Sequence, residues 1–223
     1  EELPSMGEIT MGDIIGPSLP VAPNATSVTS SVELTDGVYA LRNVGNGQLW
    51  MGIERNYVTP GYHMQQYAFG YSPADSFTEA GLFKITRVPN TNRFIIRSML
   101  NNCLSFGFEE IEEGEEVEAG EAVEVITKII PADDADVEAK DTFYIEFSTS
   151  GCVLYPYGPN NNRTLAVAAQ NTTASGASGA PWSYLVQKTK SQAGTRARWD
   201  IQRYEGANHS SGYITSPSSI SKG

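Results

Sequence analysis

Between residues 37 and 204, apolar and polar residues alternate in short runs rather than at helical spacing, which is the pattern of half-buried strands. Three runs open alike: Gly37-Val38-Tyr39-Ala40-Leu41-Arg42, Arg93-Phe94-Ile95-Ile96-Arg97 and Gly151-Cys152-Val153-Leu154-Tyr155. Each reaches a turn rich in Asn or Gly, at Val44-Gly45-Asn46-Gly47, Leu100-Asn101-Asn102 and Pro159-Asn160-Asn161-Asn162. Asn and Gly suit such turns because they tolerate left-handed backbone and hydrogen-bond it locally. A second strand follows each turn, at Leu49-Trp50-Met51, Cys103-Leu104-Ser105-Phe106 and Thr164-Leu165-Ala166-Val167. A third is expected at His63–Phe69, Ala122–Ile126 and Trp182–Val186. Each run then closes with an aromatic two residues before an Ile, at Phe83-Lys84-Ile85, Phe143-Tyr144-Ile145 and Trp199-Asp200-Ile201.

The distance from opening to closing anchor is nearly constant: Tyr39 to Phe83, Phe94 to Phe143 and Val153 to Trp199 span 44, 49 and 46 residues. Internal repetition at this period identifies a repeated supersecondary unit. Four strands in each of three units give twelve strands, an all-β β-trefoil with pseudo-threefold symmetry. A β-sandwich would also alternate, but it does not call for three matched openings and closings. One unit alone cannot cover its apolar face, whereas three around an axis close a barrel and remove most strand edges.

The flanks differ in composition. Residues 1–34, with Gly16-Pro17-Ser18-Leu19-Pro20 and Ala25–Ser31, read as an extended arm or linker before a trefoil over 35–205. Residues 206–223 read as a Ser/Gly-rich linker, so the trefoil is expected to belong to a longer polypeptide. The opening Glu1-Glu2-Leu3-Pro4 reads as a mature or trimmed chain.

Charge sharpens the picture. Between Glu109 and Asp141 there are 14 acidic residues against Lys128 and Lys140, a local net of −12 in a chain of net charge −11, so the remainder carries about +1. With no basic patch, nucleic acid is not an expected partner. No stretch approaches the roughly 18 apolar residues of a membrane span. The run Glu109–Glu116 matches no calcium-loop spacing and reads as a solvated hairpin. Two cysteines, Cys103 and Cys152, could form one bridge or remain two buried thiols. No nucleophile elbow, zinc-protease motif or phosphate loop is present, and His63, at a strand start, reads as an exposed or packed residue. No catalytic residue, cofactor or metal site is expected.

The opening Gly37–Val44, the strand Gln65-Gln66-Tyr67 and the close Leu82-Phe83-Lys84-Ile85 resemble ricin-type β-trefoil lectin repeats. Arg198-Trp199-Asp200-Ile201 resembles their last strand, whose family motif is Gln-any-Trp. The resemblance covers about 168 residues. It implies a carbohydrate-binding module of the kind appended to secreted enzymes, toxins or surface proteins, hence an extracellular or cell-surface location. It also implies an Asp on each second strand to bind sugar hydroxyls, but Met51, Ser105 and Ala166 stand at the matching positions. The motif's Gln is replaced by Gly81, Asp141 and Ala197.

Other residues offer sugar-binding chemistry of their own. Tyr57, Tyr62 and Tyr71 can stack on the apolar face of a sugar ring. Tyr155 and Tyr157 lie beside Asn160 and Asn161, whose amides both donate and accept. The expected function is therefore a non-catalytic binding module with weak, multivalent glycan sites. The alternative is a structural or protein-interaction β-trefoil that has lost sugar binding, including the protease-inhibitor type. The expected partner is accordingly a glycan or a protein.

Overall fold

In the computed structural model, the described residues are 27–45, 49–67, 79–116, 118, 122–158, 163–171, 173–175 and 181–203. The openings form β2 (Gly37–Asn43), β6 (Arg93–Ser98) and β10 (Gly151–Pro156), and the closings form β5 (Phe83–Arg87), β9 (Phe143–Ser148) and β14 (Trp199–Arg203). These six pair antiparallel in a ring. Tyr39 lies opposite Phe83, Ile96 opposite Ile85, Phe143 opposite Phe94, Leu154 opposite Ile145, Trp199 opposite Cys152 and Leu41 opposite Ile201. The last pairing closes the sheet, so none of the six strands is left with a bare edge.

The second and third strands form three hairpins: β3 (Trp50–Ile53) with β4 (Met64–Tyr67), β7 (Leu104–Phe108) with β8 (Val125–Ile129), and β11 (Leu165–Ala169) with β13 (Pro181–Thr189). They converge: β4 pairs with β13, and single bridges join His63 to Ile126 and Glu124 to Val186. At the first of these junctions the buried Gln66 Nε2 donates to Ser183 Oγ at 2.7 Å. Two short strands complete the set, β1 (Ser27–Val28) on β14 and β12 (Ala174–Ser175) on β13. The topology is that of a β-trefoil, as the repeats predict.

One core fills the barrel and the underside of the hairpins. Leu41, Phe83, Phe94, Phe143, Leu154 and Trp199 come from the barrel, and Met51, Ile53, Leu104, Phe106 and Val167 from the hairpins. Phe106 bridges the two layers, with its ring 5.7 Å from Phe83 and 4.9 Å from Phe143. The three closing aromatics are each 0–1% exposed, and Trp199 Nε1 donates to the Val167 carbonyl at 3.0 Å. The predicted Asn turn is present in the second repeat, while Asn46 and Gly47 of the first lie outside the described residues. In the second, Asn101 Oδ1 accepts from Cys103 N, and at the end of β2 Asn43 Oδ1 likewise accepts from Gly45 N. The third, at 159–162, lies outside the described residues.

Two sequence registers shift. The third strand of the second repeat runs Val125–Ile129 rather than Ala122–Ile126, because Leu104 pairs with Ile129 and Phe108 with Val125. Met51 turns inward with Ile53, whereas Ala166 faces outward and Ser105 lies on the face of β7 opposite the core residues Leu104 and Phe106. In the first hairpin the residues sharing that outer face are Trp50 and Gly52, and these are no more acidic than Met51.

Among the described residues, the segment before the first repeat already contacts the barrel from β1 onward. Leu34 is 2% exposed within the core, and Arg203 Nη1 donates to Thr35 Oγ1 at 2.7 Å. Both cysteines are free thiols, Cys152 on the barrel wall and Cys103 at the start of the second hairpin, and burial raises both thiol pKa values. Thiols held protonated in this way are poor nucleophiles.

Candidate functional site

The second and third repeats meet at a groove of about 380 Å³, within the size range of about 300–1,000 Å³ typical of small-molecule sites. The end of β7 and the chain just beyond it supply Phe108, Glu109, Glu110 and Ile111, and β8 supplies Lys128. The approach to β9 adds Lys140, Asp141 and Thr142, while the end of β10 adds Pro156 and Tyr157. A more open depression adjoins it, sharing the charged residues and adding Ile126 and Ile129.

Local chemistry fixes these groups. Lys140 and Asp141 sit in a single 3-10 turn, Ala139–Asp141, that stops where Phe143 enters the core. Thr142 Oγ1 donates to the Ala139 carbonyl and accepts from Arg93 Nη1. The Tyr157 amide donates to the Thr142 carbonyl at 2.8 Å, joining the two repeats. The half-buried Tyr157 ring rests 5.4 Å from Tyr144, with the Arg93 guanidinium 5.4 Å from its centre. It is therefore a held ring that lines the groove.

Electrostatics set the rim. Desolvation raises the Asp141 carboxyl pKa against the opposing pull of Lys140 and Lys128. Lys128 Nζ lies 3.7 Å from Glu110, and Lys140 Nζ 3.8 Å from Glu138. Ile111 and Ile129 are 42% and 45% exposed, two of the four exposed large hydrophobics among the described residues.

The expected site residues are dispersed. Tyr157 lines the groove. Tyr57 and Tyr62 stack on each other at 4.2 Å in the first hairpin, away from the groove, where Tyr62 N and O both bond Thr127. Tyr155 is not available to a ligand: it is 4% exposed, packed with Ala166, Ala168, Ala193 and Ala197, and its phenol pKa is raised by desolvation. It is on the outer face of β10, but α1 (Lys190–Ala193) and the 3-10 turn after it cover that face. Tyr71, Asn160 and Asn161 lie outside the described residues. Nothing in the sequence pattern singles out Phe108, Lys128 or Lys140 as groove residues, and it marks Asp141 only as the replacement for the motif's Gln. Its place just before a closing strand, beside the longest acidic segment, is the signal that could have found it.

His63 is held rather than free. Its Nδ1 lies 3.3 Å from Glu54 and its Nε2 2.5 Å from Glu124, on opposite sides of one ring that packs 4.5 Å from Tyr184. Carboxylates so placed cannot chelate one ion together with that imidazole. No group of three or more His, Cys, Asp or Glu suited to a metal occurs among the described residues.

No family model matches the chain, and no curated protein does. Solved structures do. An agglutinin of Rhizoctonia solani superposes with a TM-score of 0.51 at 12% identity, over 76% of this chain and 96% of its own. An SDF2-like protein from Arabidopsis thaliana gives 0.50 at 10% identity, over 82% of this chain and 99% of its own. The chain is a β-trefoil. A mosquitocidal holotoxin also matches, with a TM-score of 0.51 at 12% identity over 82% of this chain, but this β-trefoil spans only 18% of that toxin. At these identities the likeness is one of fold, and the resemblance to ricin-type repeats holds at that level. No helix among the described residues is long and apolar enough to cross a membrane.

Proposed function

We propose that this β-trefoil is a non-catalytic carbohydrate-binding module of a secreted or cell-surface protein, with weak sites that act together. The observation that carries this reading is the inter-repeat groove. It combines a positioned aromatic ring, Tyr157, with the hydrogen-bonding groups Asp141, Glu109 and Lys128 in a cleft of sugar size. An apolar ring face plus a few convergent polar groups is what sugar recognition requires. Likeness to an agglutinin agrees with it.

A glycan array on residues 27–203, followed by calorimetry on the hits, tests the reading. Millimolar to micromolar binding is expected, weakened about tenfold or more in Tyr157→Ala, a loss of about 1.4 kcal/mol. Absence of any glycan signal overturns it. A protein-interaction role is the second reading, favoured by the exposed Ile111 and Ile129 beside the groove and by the absence of an acidic residue on the outer face at Ser105 and Ala166. Capture of a protein partner that free glycan does not displace would support that reading instead.

A further inference from the structure

We propose that the outer face of β9, with the third repeat beside it, binds an acidic oligosaccharide carrying carboxylate or sulfate groups along its chain; this rests on the carbohydrate reading above. Outside the acidic segment the charge is uneven. Residues 151–203 hold six basic residues against Asp200, a net of +5. Tyr144, Glu146 and Ser148 share the outer face of β9, because Phe143, Ile145 and Phe147 turn toward the core. Each of the three holds one cation. The Arg163 guanidinium lies 3.6 Å over the Tyr144 ring, Lys190 Nζ lies 2.7 Å from Glu146, and Arg198 Nη1 donates to Ser148 Oγ at 2.8 Å. Alternate positions on a strand are about 7 Å apart, so the anchors set three cations in a row along one strand. Lys188 adds a fourth, opposite Ala166 on the outer face of the third hairpin. None of the four is buried.

The row carries more charge than its surroundings neutralise. Among the described residues, Lys190 with Glu146 is the one ion pair these four cations make. Asp200 accepts from Gln202 instead. A guanidinium stacked on a ring keeps its in-plane donors, whose fork geometry suits a carboxylate or a sulfate. The groove carboxylates lie beyond the Tyr144–Tyr157 stack, and the groove is lined by Leu165 and Gln187, on the face of the third hairpin opposite Lys188. A short acidic chain can follow the row alone. A long polyanion such as nucleic acid would also run past Glu109–Glu116, whose charge repels it. Net charge conceals the row, since its cations come from three separate segments of a chain at −11.

Calorimetry on the full chain with three tetrasaccharides tests the inference: a galacturonic-acid tetramer, a sulfated N-acetylglucosamine tetramer and its neutral, unsulfated form. Each titration is run at about 20 mM and about 0.5 M salt, where the screening length differs several-fold. At low salt an acidic tetramer is expected to bind about tenfold more tightly than the neutral one, with the gap closing at high salt. The two acidic arms identify which anion the row prefers. Arg163→Gln with Lys190→Gln should abolish the gap without lowering Tm, whereas Glu146→Gln should widen it by freeing Lys190. Lys84→Gln, on β5 across the barrel from β10, should leave it unchanged. Neutral binding as tight as acidic, a gap that the double variant leaves intact, or tighter binding of a DNA oligonucleotide than of either acidic tetramer overturns the inference. So does failure of both acidic tetramers while another glycan binds, and the carbohydrate reading then stands. If no tetramer and no arrayed glycan binds, the carbohydrate reading itself fails.

Discussion

Trp199 carries two tasks at once. Its ring is fully buried in the shared core, and its indole N–H satisfies the Val167 carbonyl of the third hairpin. Trp199→Ala should therefore cost about 3–5 kcal/mol, the range for emptying a large aromatic site, seen as a lower urea midpoint. Trp199→Phe keeps most of the volume but orphans the carbonyl, and a loss of about 1–3 kcal/mol is expected. Asp141 is a residue whose effect changes with pH. Its carboxyl pKa is raised in the folded state by desolvation, so the folded protein holds a proton that the unfolded chain releases. This contribution is fully present below the ordinary carboxylate range and is lost as pH rises through that range and the folded value above it. Relative to the parent, Asp141→Asn should gain stability progressively over that interval, and denaturation at a series of pH values checks the sign. The site was partly legible at this scale. Tyr157 could be picked from its Tyr-and-Asn surroundings, but Tyr155 could not be excluded, because the cover over its ring comes from residues almost forty positions later.

The twelve strands of the three repeats were readable because period-2 alternation, Asn turns and closing aromatics all report the same buried face. Register was harder. The stretch Val123–Ile130 has adjoining apolar pairs at Val125-Ile126 and Ile129-Ile130, so pattern alone cannot say which face is buried or where pairing starts, and the pairing with β7 sets it three residues late. The same short-range ambiguity hid the inward turn of Met51. Elements are also fastened by groups that no strand pattern reveals. Arg97 is 1% exposed, and its guanidinium donates to Asp134 at 2.7 and 3.1 Å and to the carbonyls of Asn102 and Pro131. It fixes the segment after β8 against the turn before β7. Asp134 is half exposed, so water can replace part of its role, and Asp134→Ala should cost only about 1–3 kcal/mol. Arg97→Ala empties a buried position and strands two carbonyls, so the larger loss belongs there, about 3–5 kcal/mol. Hydrogen exchange should localise the effect of Asp134→Ala to the Ile130 amide, which bonds the Cys103 carbonyl across the same junction.

At the scale of the whole molecule, closure depends on the seam where β14, the closing strand of the third repeat, meets β2, the opening strand of the first. Sheet closure there joins segments some 160 residues apart, and contacts of such separation are costly to form because the intervening chain must be ordered first. The segment 27–36, which composition alone assigned largely to a linker, lies on this seam. β1 adds to β14 through Ser27 opposite Gln202 and Val28 opposite Ile201. Leu34 enters the core, Arg203 reaches back to Thr35 and Tyr39, and Arg87 Nη2 donates to Ser31. The composition of the segment conceals this, since a Ser- and Thr-rich strand with one buried Leu looks like any extended arm. A chain beginning at Gly37 should therefore be less stable than one beginning at Ser27. The loss of Leu34 burial is worth about 2 kcal/mol, and the orphaned Arg contacts and β14 edge bring the total to about 2–4 kcal/mol. Because these contacts brace the seam, amides of β14 should lose more exchange protection than those of β6, which lies opposite β14 in the ring. Equal denaturation midpoints for the two chains would show that the barrel closes without this brace.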